Sequence, residues 1–574
     1  METKFVKVRG GRGFSIKPRV PKEIKTGIIE NEAMPVVTQQ YMYQQYAYPQ
    51  QSMQTRAVDG IMLPEIHTEK LAIVASEDIQ LTDTKYPLIP ANPAKGEKVS
   101  AYAHIYFDKR LGELIYNVVE PPIGKYQTIL NEIKEYIQEK LDINFSQIRK
   151  GDAIKYLDVV FTKSLAYFKT KFDKETIDML RYYVVRDFIG LESIDPLVND
   201  KYIEDISCDG VNIPLFVYHR HPQFGSIKTN ISFSNRDVLD TFVNKLAERS
   251  GRTISVSRPM LDGTLPDGSR LQATLGSDIA RNGSNFTIRM FSDKPMTPVD
   301  IIKYGTCDLR MMAYYWFLVE HGSSILISGG TASGKTSLLN VLSLFIKPQM
   351  KIISIEDTSE IRLPHTHWVA EVARTPISEE GKVDMFELLR ESLRQRPDYI
   401  IVGEVRGKEA YVLFQQMAVG HPGLSTIHAE NFTKLVDRMT SPPINLPPNL
   451  MQNLDLILFV KRMKQGRKYN RRVFSTVEVV GYDQNIKLPI MNEVISWDAK
   501  KDEFNAVGKS ALLKKISDAT GMGEKEILTS IEQRAKVIKW LVNKNITDYR
   551  KVASVINMFY LSPDFLLSRI EGEV

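Results

Sequence analysis

SSILISGGTASGKTSLLNVLSLF, residues 323–345, decides the fold class. The apolar run SSILIS leads into Gly329–Thr336, GGTASGKT, and the apolar, helix-like SLLNVLSLF follows. This is the P-loop pattern: glycine, four residues, then Gly-Lys-Thr, between a strand and a helix. Glycines let backbone N–H groups curl around phosphate oxygens, and the helix presents its positive end to the same anion. Gly329, Gly330, Thr331, Ala332, Ser333, Gly334, Lys335, Thr336 and Ser337 are therefore the expected cradle for ATP. Lys335 is expected to reach the outer phosphates, and the Thr336 hydroxyl to ligate Mg²⁺.

Working outward, KIISIED (351–357) and DYIIVGEV (398–405) are short apolar runs. They alternate with helix-like FELLRESLR (386–394) and AYVLFQQMA (410–418), which predicts an α/β domain with a parallel sheet. Glu356 ends the first of these strands, where ligands bind in open parallel sheets. It is either the residue that polarises the attacking water or a solvated strand end. Glu404, after Gly403, is placed to hold the Mg²⁺ shell, a role such enzymes usually give to Asp. Arg390 and Arg394 share a helical face, and Arg406 follows Glu404. These arginines either meet phosphate across a subunit boundary or pair with carboxylates. His421 and His428 flank the small residues of GLSTI and suit either a sensor of the phosphate state or hydrogen bonding in the core.

Upstream, AYAHIYFDKRLGELIYNVVEP reads as two strands around a turn, and YQTILNEIKEYIQEKL as an amphipathic helix. Residues 191–292 read as an α+β domain with a helix at DVLDTFVNKLAERSG and a hairpin turning at Asp267-Gly268. SDKPMTPVD is a proline-bearing linker. The expected organisation is a disordered basic and Gln/Tyr-rich tail (1–65), a strand and helical region (66–190), a sheet domain (191–292), a linker (293–298), an ATPase domain (299–507) and C-terminal helices (508–574).

Composition narrows the function classes. Among 574 residues, 43% are hydrophobic and 25% charged, a globular balance. Residues 1–25 hold eight Lys/Arg and two Glu; the rest holds 67 basic and 67 acidic residues. The net charge of +6 thus sits in the tail, which either solvates the chain or meets an anionic membrane. The neutral remainder argues against nucleic acid as a partner. The apolar run near Met311–Val319 is too short to span a bilayer. No secretory leader is visible, and two distant cysteines suggest a cytoplasmic setting.

GGTASGKT, IISIEDTSEIRLP, RQRPDYIIVGEVRG and GLSTIHAEN, in this order, resemble the four nucleotide-site boxes of the secretion-traffic ATPases. These are the ring motors of type II and type IV secretion, type IV pili and archaella. RPMLDGTLPDGSRLQATLG and FTIRMF resemble the family's PAS-like sheet domain, and RAKVIKWLVNKNITDYRKVASVI the tails of archaeal members. The lack of a CxxC pair departs from the zinc-bearing bacterial type II branch. The resemblance implies a RecA-like P-loop core, with Glu356 as catalytic acid, Glu404 as the Walker B acid and His428 as the histidine of the His box. It implies that Arg270, Arg289, Arg390, Arg394 and Arg406 act near nucleotide or at subunit contacts. It further implies a homo-hexamer at the cytoplasmic face of the membrane, working on a polytopic platform protein and pilin-like subunits. A nucleic-acid translocase and a slow nucleotide-gated scaffold are the rival readings.

Overall fold

Two nine-stranded sheets organise the chain in a computed structural model, which describes residues 59–66, 82–141, 150–168, 171–221, 224–276, 278–291, 294–374, 381, 383–465 and 468–572. The first sheet contains β1 (Asp83–Ile89), β2 (Ala101–Asp108), β3 (Glu113–Val119), β4 (Ile203–Cys208), β5 (Pro214–His219), β6 (Gly225–Ser232), β7 (Met260–Thr264), β8 (Arg270–Thr274) and β9 (Asn285–Arg289). Their spatial order is β1-β2-β3-β6-β5-β4-β9-β8-β7. Alternation builds these strands: Ala101, Ala103 and Ile105 of β2 are fully buried while the residues between them are not. Helices Gln127–Lys140, Lys150–Phe168 and Lys174–Phe188 contribute Ile133, Leu157 and Leu180 to the core of this sheet.

The expected boundary at 190/191 does not divide this sheet. β3 pairs in parallel with β6, Ile115 against Lys228 and Tyr116 against Thr229, and one apolar core runs from Leu88 to Ile288. The buried Tyr116 hydroxyl donates to Asp200, 2.6 Å away, locking the two halves together. The join pairs residues more than a hundred positions apart, beyond what local periodicity reads.

The second sheet contains β10 (Ile325–Gly329), β11 (Ile352–Glu356), β12 (Trp368–Val372), β13 (Tyr399–Val405), β14 (Gly423–Ile427), β15 (Leu456–Gln465), β16 (Lys468–Asp483), β17 (Leu488–Asp498) and β18 (Glu503–Ala506). Their order is β12-β11-β13-β14-β10-β15-β16-β17-β18. The first six in this order are mutually parallel and the last three join as an antiparallel meander. Every residue of β10, β11 and β14 is buried, as helices on both faces of a parallel sheet require. The sheet is thus mixed rather than simply parallel.

The C-terminal helices belong to this same core. Ile527, Ile531, Ile538 and Phe559 join the cluster that includes Trp316 and Phe345. Trp316 stacks on Phe345 and its indole N–H donates to Tyr560, which in turn donates to the Phe345 carbonyl.

Most of the expected tail, through residue 58, lies outside the described residues, but its last segment is structural. Ile61 forms a bridge with Ser510, with N–H···O distances of 3.0 and 2.7 Å. Ile61 and Leu63 are buried in the core of the second sheet. The short apolar run Ile61-Met62-Leu63, paired some 450 positions away, has no periodicity that announces a strand.

Candidate functional site

β10 runs straight into the glycine-rich loop, and helix Lys335–Ser343 leaves it. Gly334 stands at the helix cap with φ +91°, in the left-handed region that a side chain disfavours. Ala332 also takes a positive φ, +56°. The first N–H groups of any helix lack intrahelical acceptors, so this loop ends in a set of donors aimed at an anion. Lys335 Nζ folds back onto the Gly330 carbonyl, 3.0 Å away. Burial lowers its pKa, an effect opposed by the Glu404 carboxylate.

The carboxylates arrive on neighbouring strands. Glu356 closes β11 and is only 3% exposed. It accepts N–H bonds from Glu360 and Ile361 at 2.9 and 3.0 Å. Burial nevertheless lifts its carboxyl to about 7. A group poised there exchanges a proton readily at neutral pH. Glu404 lies where the β13–β14 register shifts, between Val402 and Val405. Such a bulge re-aims a side chain at a sheet end. Gly403 leaves room beside it, since a Cβ there would stand 3.1 Å from the Glu356 Cγ, tighter than ordinary contact. Glu404 pairs with Arg406 at 2.6 Å, and Arg406 also reaches Asp357 at 3.2 Å. Of the two roles open to Arg406, carboxylate pairing is the one it fills here.

His428 follows β14 with its side chain exposed. Its segment is tied to the P-loop strand because Ser328 Oγ donates to the Ala429 carbonyl at 2.6 Å. Glu430 lies next to Gly330, and its hydrogen bond from Lys434 holds its carboxyl below the usual range.

The first sheet brings its β8–β9 pair to the same place. Arg270 and Arg289 stand directly opposite each other across these two strands. Like charges so paired repel, which suits a shared anionic ligand. Arg270 is held by Asp262 at 2.7 Å and feels the charges of Glu360 and Asp357. Arg289 is exposed and lies near enough for its charge to act on Lys335. Phe291 continues from β9, and Arg362 lies 4.4 Å over its ring, bridging the two sheets' loops. By contrast, Arg390 and Arg394 are exposed on a helix edge, where both pair with Glu391.

The cradle fits a nucleotide phosphate: helix N–H groups and a lysine line the loop, and the charges of Glu404 and Arg289 act on that lysine. Thr336 and Glu404 offer the hard oxygen ligands that suit Mg²⁺. Three contributors escaped the sequence reading. Asn340 accepts from Arg362 N at 2.8 Å, tying the P-loop helix to the loop after Glu356; a polar residue inside the apolar run SLLNVLSLF was its signal. Glu409 caps the turn after Glu404 by accepting from Arg406 N and Gly407 N at 2.6 and 2.7 Å. Arg471 of β16 donates to the Ala332 carbonyl at 3.1 Å, and no local motif announces it.

Comparisons with known proteins place the chain in a family. The family model described as "Type II/IV secretion system protein" matches residues 195–498. An uncharacterized protein of Methanocaldococcus jannaschii is 38% identical over 469 residues, covering 78% of this chain and 85% of the relative. The type IV secretion system protein PtlH of Bordetella pertussis is 32% identical over 274 residues, covering 41% of this chain and 80% of PtlH. Among solved structures, the VirB11 ATPase of the Brucella suis type IV secretion system matches with 22% identity and a TM-score of 0.23, covering 48% of this chain and 90% of that one. With more than half of its length matched by the family model and a 38% identical relative covered over 85% of its length, the chain belongs to the type II/IV secretion system protein family.

Proposed function

We propose that this chain is a Mg²⁺-dependent ATP hydrolase that works as a homo-hexameric ring on the cytoplasmic face of a membrane. The observation that carries the reading is a phosphate loop whose Lys335 feels the charges of Glu404 and Arg289, with Arg270 opposite Arg289. Lys335 and the loop N–H groups bind the phosphates of ATP. Thr336 and Glu404 hold Mg²⁺, which when bound neutralises phosphate charge. Glu356 orients the water and takes its proton, and Arg289 and Arg270 offset charge on the γ-phosphate. His428 reports the phosphate state to the neighbouring strand. Arg390 and Arg394, exposed on their helix, meet the next subunit of the ring.

The motion of the first sheet against the second would drive a polytopic platform protein and pilin-like subunits, in assembly of a type IV pilus-like or archaellum filament or in secretion. The 38% identical relative comes from Methanocaldococcus jannaschii, which supports the archaeal reading. Among the described residues no helix is long and apolar enough to cross a membrane. The basic tail, with all the net charge, is proposed to touch anionic lipid, each basic residue contributing about 1 kcal/mol at low salt.

The test is affinity capture from detergent-solubilised membranes, alongside ATP turnover of the purified chain. Recovery of a polytopic protein with pilin-like subunits, and Mg²⁺-dependent turnover, is expected. Turnover that appears only with added DNA would replace this reading with the translocase.

A further inference from the structure

The hairpin β15–β16 closes the site on a side that the four boxes do not describe. Its segment KRMKQGRKYNRR, 461–472, holds seven basic residues and no acidic one. Arg462 and Arg471 stand directly opposite each other across the pair. Each is drawn elsewhere. Arg462 donates to the Tyr218 hydroxyl of β5 at 2.5 Å and lies 3.9 Å over the Tyr469 ring. Arg471 crosses to the phosphate loop, where its Nε donates to the Ala332 carbonyl at 3.1 Å. Its Cδ lies 3.1 Å from where a Cβ on Gly334 would stand. The next residue anchors the hairpin: the buried Arg472 makes a two-point pair with Asp502 and donates to the Tyr304 carbonyl at 3.0 Å.

Arg471 therefore lies along the two left-handed residues of the loop, Ala332 at φ +56° and Gly334 at φ +91°. Gly334 adopts that conformation freely, but Ala332 does so against its Cβ. The Ala332 carbonyl must point away from the cradle, since a carbonyl oxygen turned inward would repel phosphate. A guanidinium donor on the outer side holds it there.

We infer that Arg471 is a positioning residue of the phosphate loop: it straps the Ala332 carbonyl outward and keeps the loop N–H groups facing a nucleoside di- or triphosphate. The role rests on the nucleotide reading above. It also makes the hairpin a link between that loop and the first sheet, through Arg462 and Tyr218.

The test is ADP titration by calorimetry on the full chain, with kcat and KM for ATP. Arg471→Ala is expected to weaken ADP about five- to tenfold, the loss of one charge-assisted hydrogen bond. KM should rise in parallel, with kcat kept within about twofold. In an Ala332→Gly background the same substitution should cost less than about twofold, because glycine holds a positive φ without a strap. Should Arg471→Ala fail to fold, Arg471→Lys is read in the same two backgrounds, with a smaller loss that Ala332→Gly again removes. Unchanged ADP affinity in Arg471→Ala would overturn the proposal. So would an equal loss in both backgrounds, which marks a direct ligand contact or a purely structural part. A Lys335→Ala control separates the two levels: if it binds ADP like wild type, the nucleotide reading of the loop itself fails.

Discussion

Glu356 and Arg289 face the same phosphate loop from surfaces built in opposite ways. Glu356 is sealed into the end of a buried parallel strand, with two backbone N–H bonds fixing its carboxylate. Arg289 ends β9, an inner antiparallel strand, with an exposed side chain between Asp205 of β4 and Arg270 of β8. The first arrangement costs desolvation, seen in the raised carboxyl, and gives fixed geometry. The second leaves a charge seeking an anion and free to arrive with its sheet. The difference teaches a division of labour. On the proposed reading, the second sheet preorganises the chemistry, and the first supplies charge that depends on how the two sheets sit. Phe291 and Arg362 mark the contact through which that dependence runs.

The sharpest way to break the comparison is to empty its centre. Lys335→Ala should lower ATP turnover at least ~100-fold by removing the phosphate cation. Its melting temperature should stay within about 3 °C of wild type, since Lys335 is a loop-end residue outside the apolar core. Wild-type turnover by a folded variant would remove the P-loop from the account. Glu404→Gln and Glu356→Gln follow, each slowing turnover on the order of 100-fold while ADP affinity changes only a few-fold. A collapse of affinity with normal turnover per bound nucleotide would mean these carboxylates serve binding instead.

Gly403→Ala sharpens the preorganised side. The new methyl would meet the Glu356 Cγ at 3.1 Å and push the carboxylate off its two N–H partners. Turnover should fall about tenfold through misplacement alone.

The buried carboxyl also predicts a pH dependence. Burial raises Glu356 from an ordinary 4.5 to about 7 in the folded chain. Below pH 4.5 the group is protonated in both states and its contribution to stability is complete. As pH rises toward 7 the unfolded chain releases this proton first, and the contribution is lost. Glu356→Gln removes that loss. The variant should therefore melt higher than wild type near pH 8, and the gap should narrow as pH falls toward about 4.5. Parallel melting curves across this range would contradict the buried carboxyl.

Much of the second sheet was legible because its signals are local. A P-loop needs glycine and lysine within eight residues of a strand, and Glu356 and Glu404 sit at the ends of apolar runs that announce themselves. The strand–turn–strand at Asp267-Gly268 was legible for the same reason. What escaped depends on distant pairing. Ile61 gains meaning only against Ser510, β3 only against β6, and Arg471 only because β16 folds back beside β15 and reaches the loop after β10. The roles of the arginines were left open for a related reason: spacing cannot say whether a guanidinium finds a carboxylate in its own chain. Arg406 finds Glu404 and Asp357, Arg270 finds Asp262, and Arg390 and Arg394 find Glu391. Arg289 alone of this set makes no ion pair among the described residues, although Asp205, opposite it on β4, feels its charge.

Arg289→Ala in the full chain tests the division of labour most directly, by ATP turnover measured beside ADP affinity and melting temperature. The account predicts turnover lowered about tenfold, as expected when one charge stabilising a γ-phosphate is lost. ADP affinity should change by less than about threefold, since ADP lacks that phosphate, and melting should be unchanged because the side chain is exposed. Wild-type turnover in this variant would contradict it: the second sheet would then hold a complete site, and the first sheet's arginines would have no part in the chemistry.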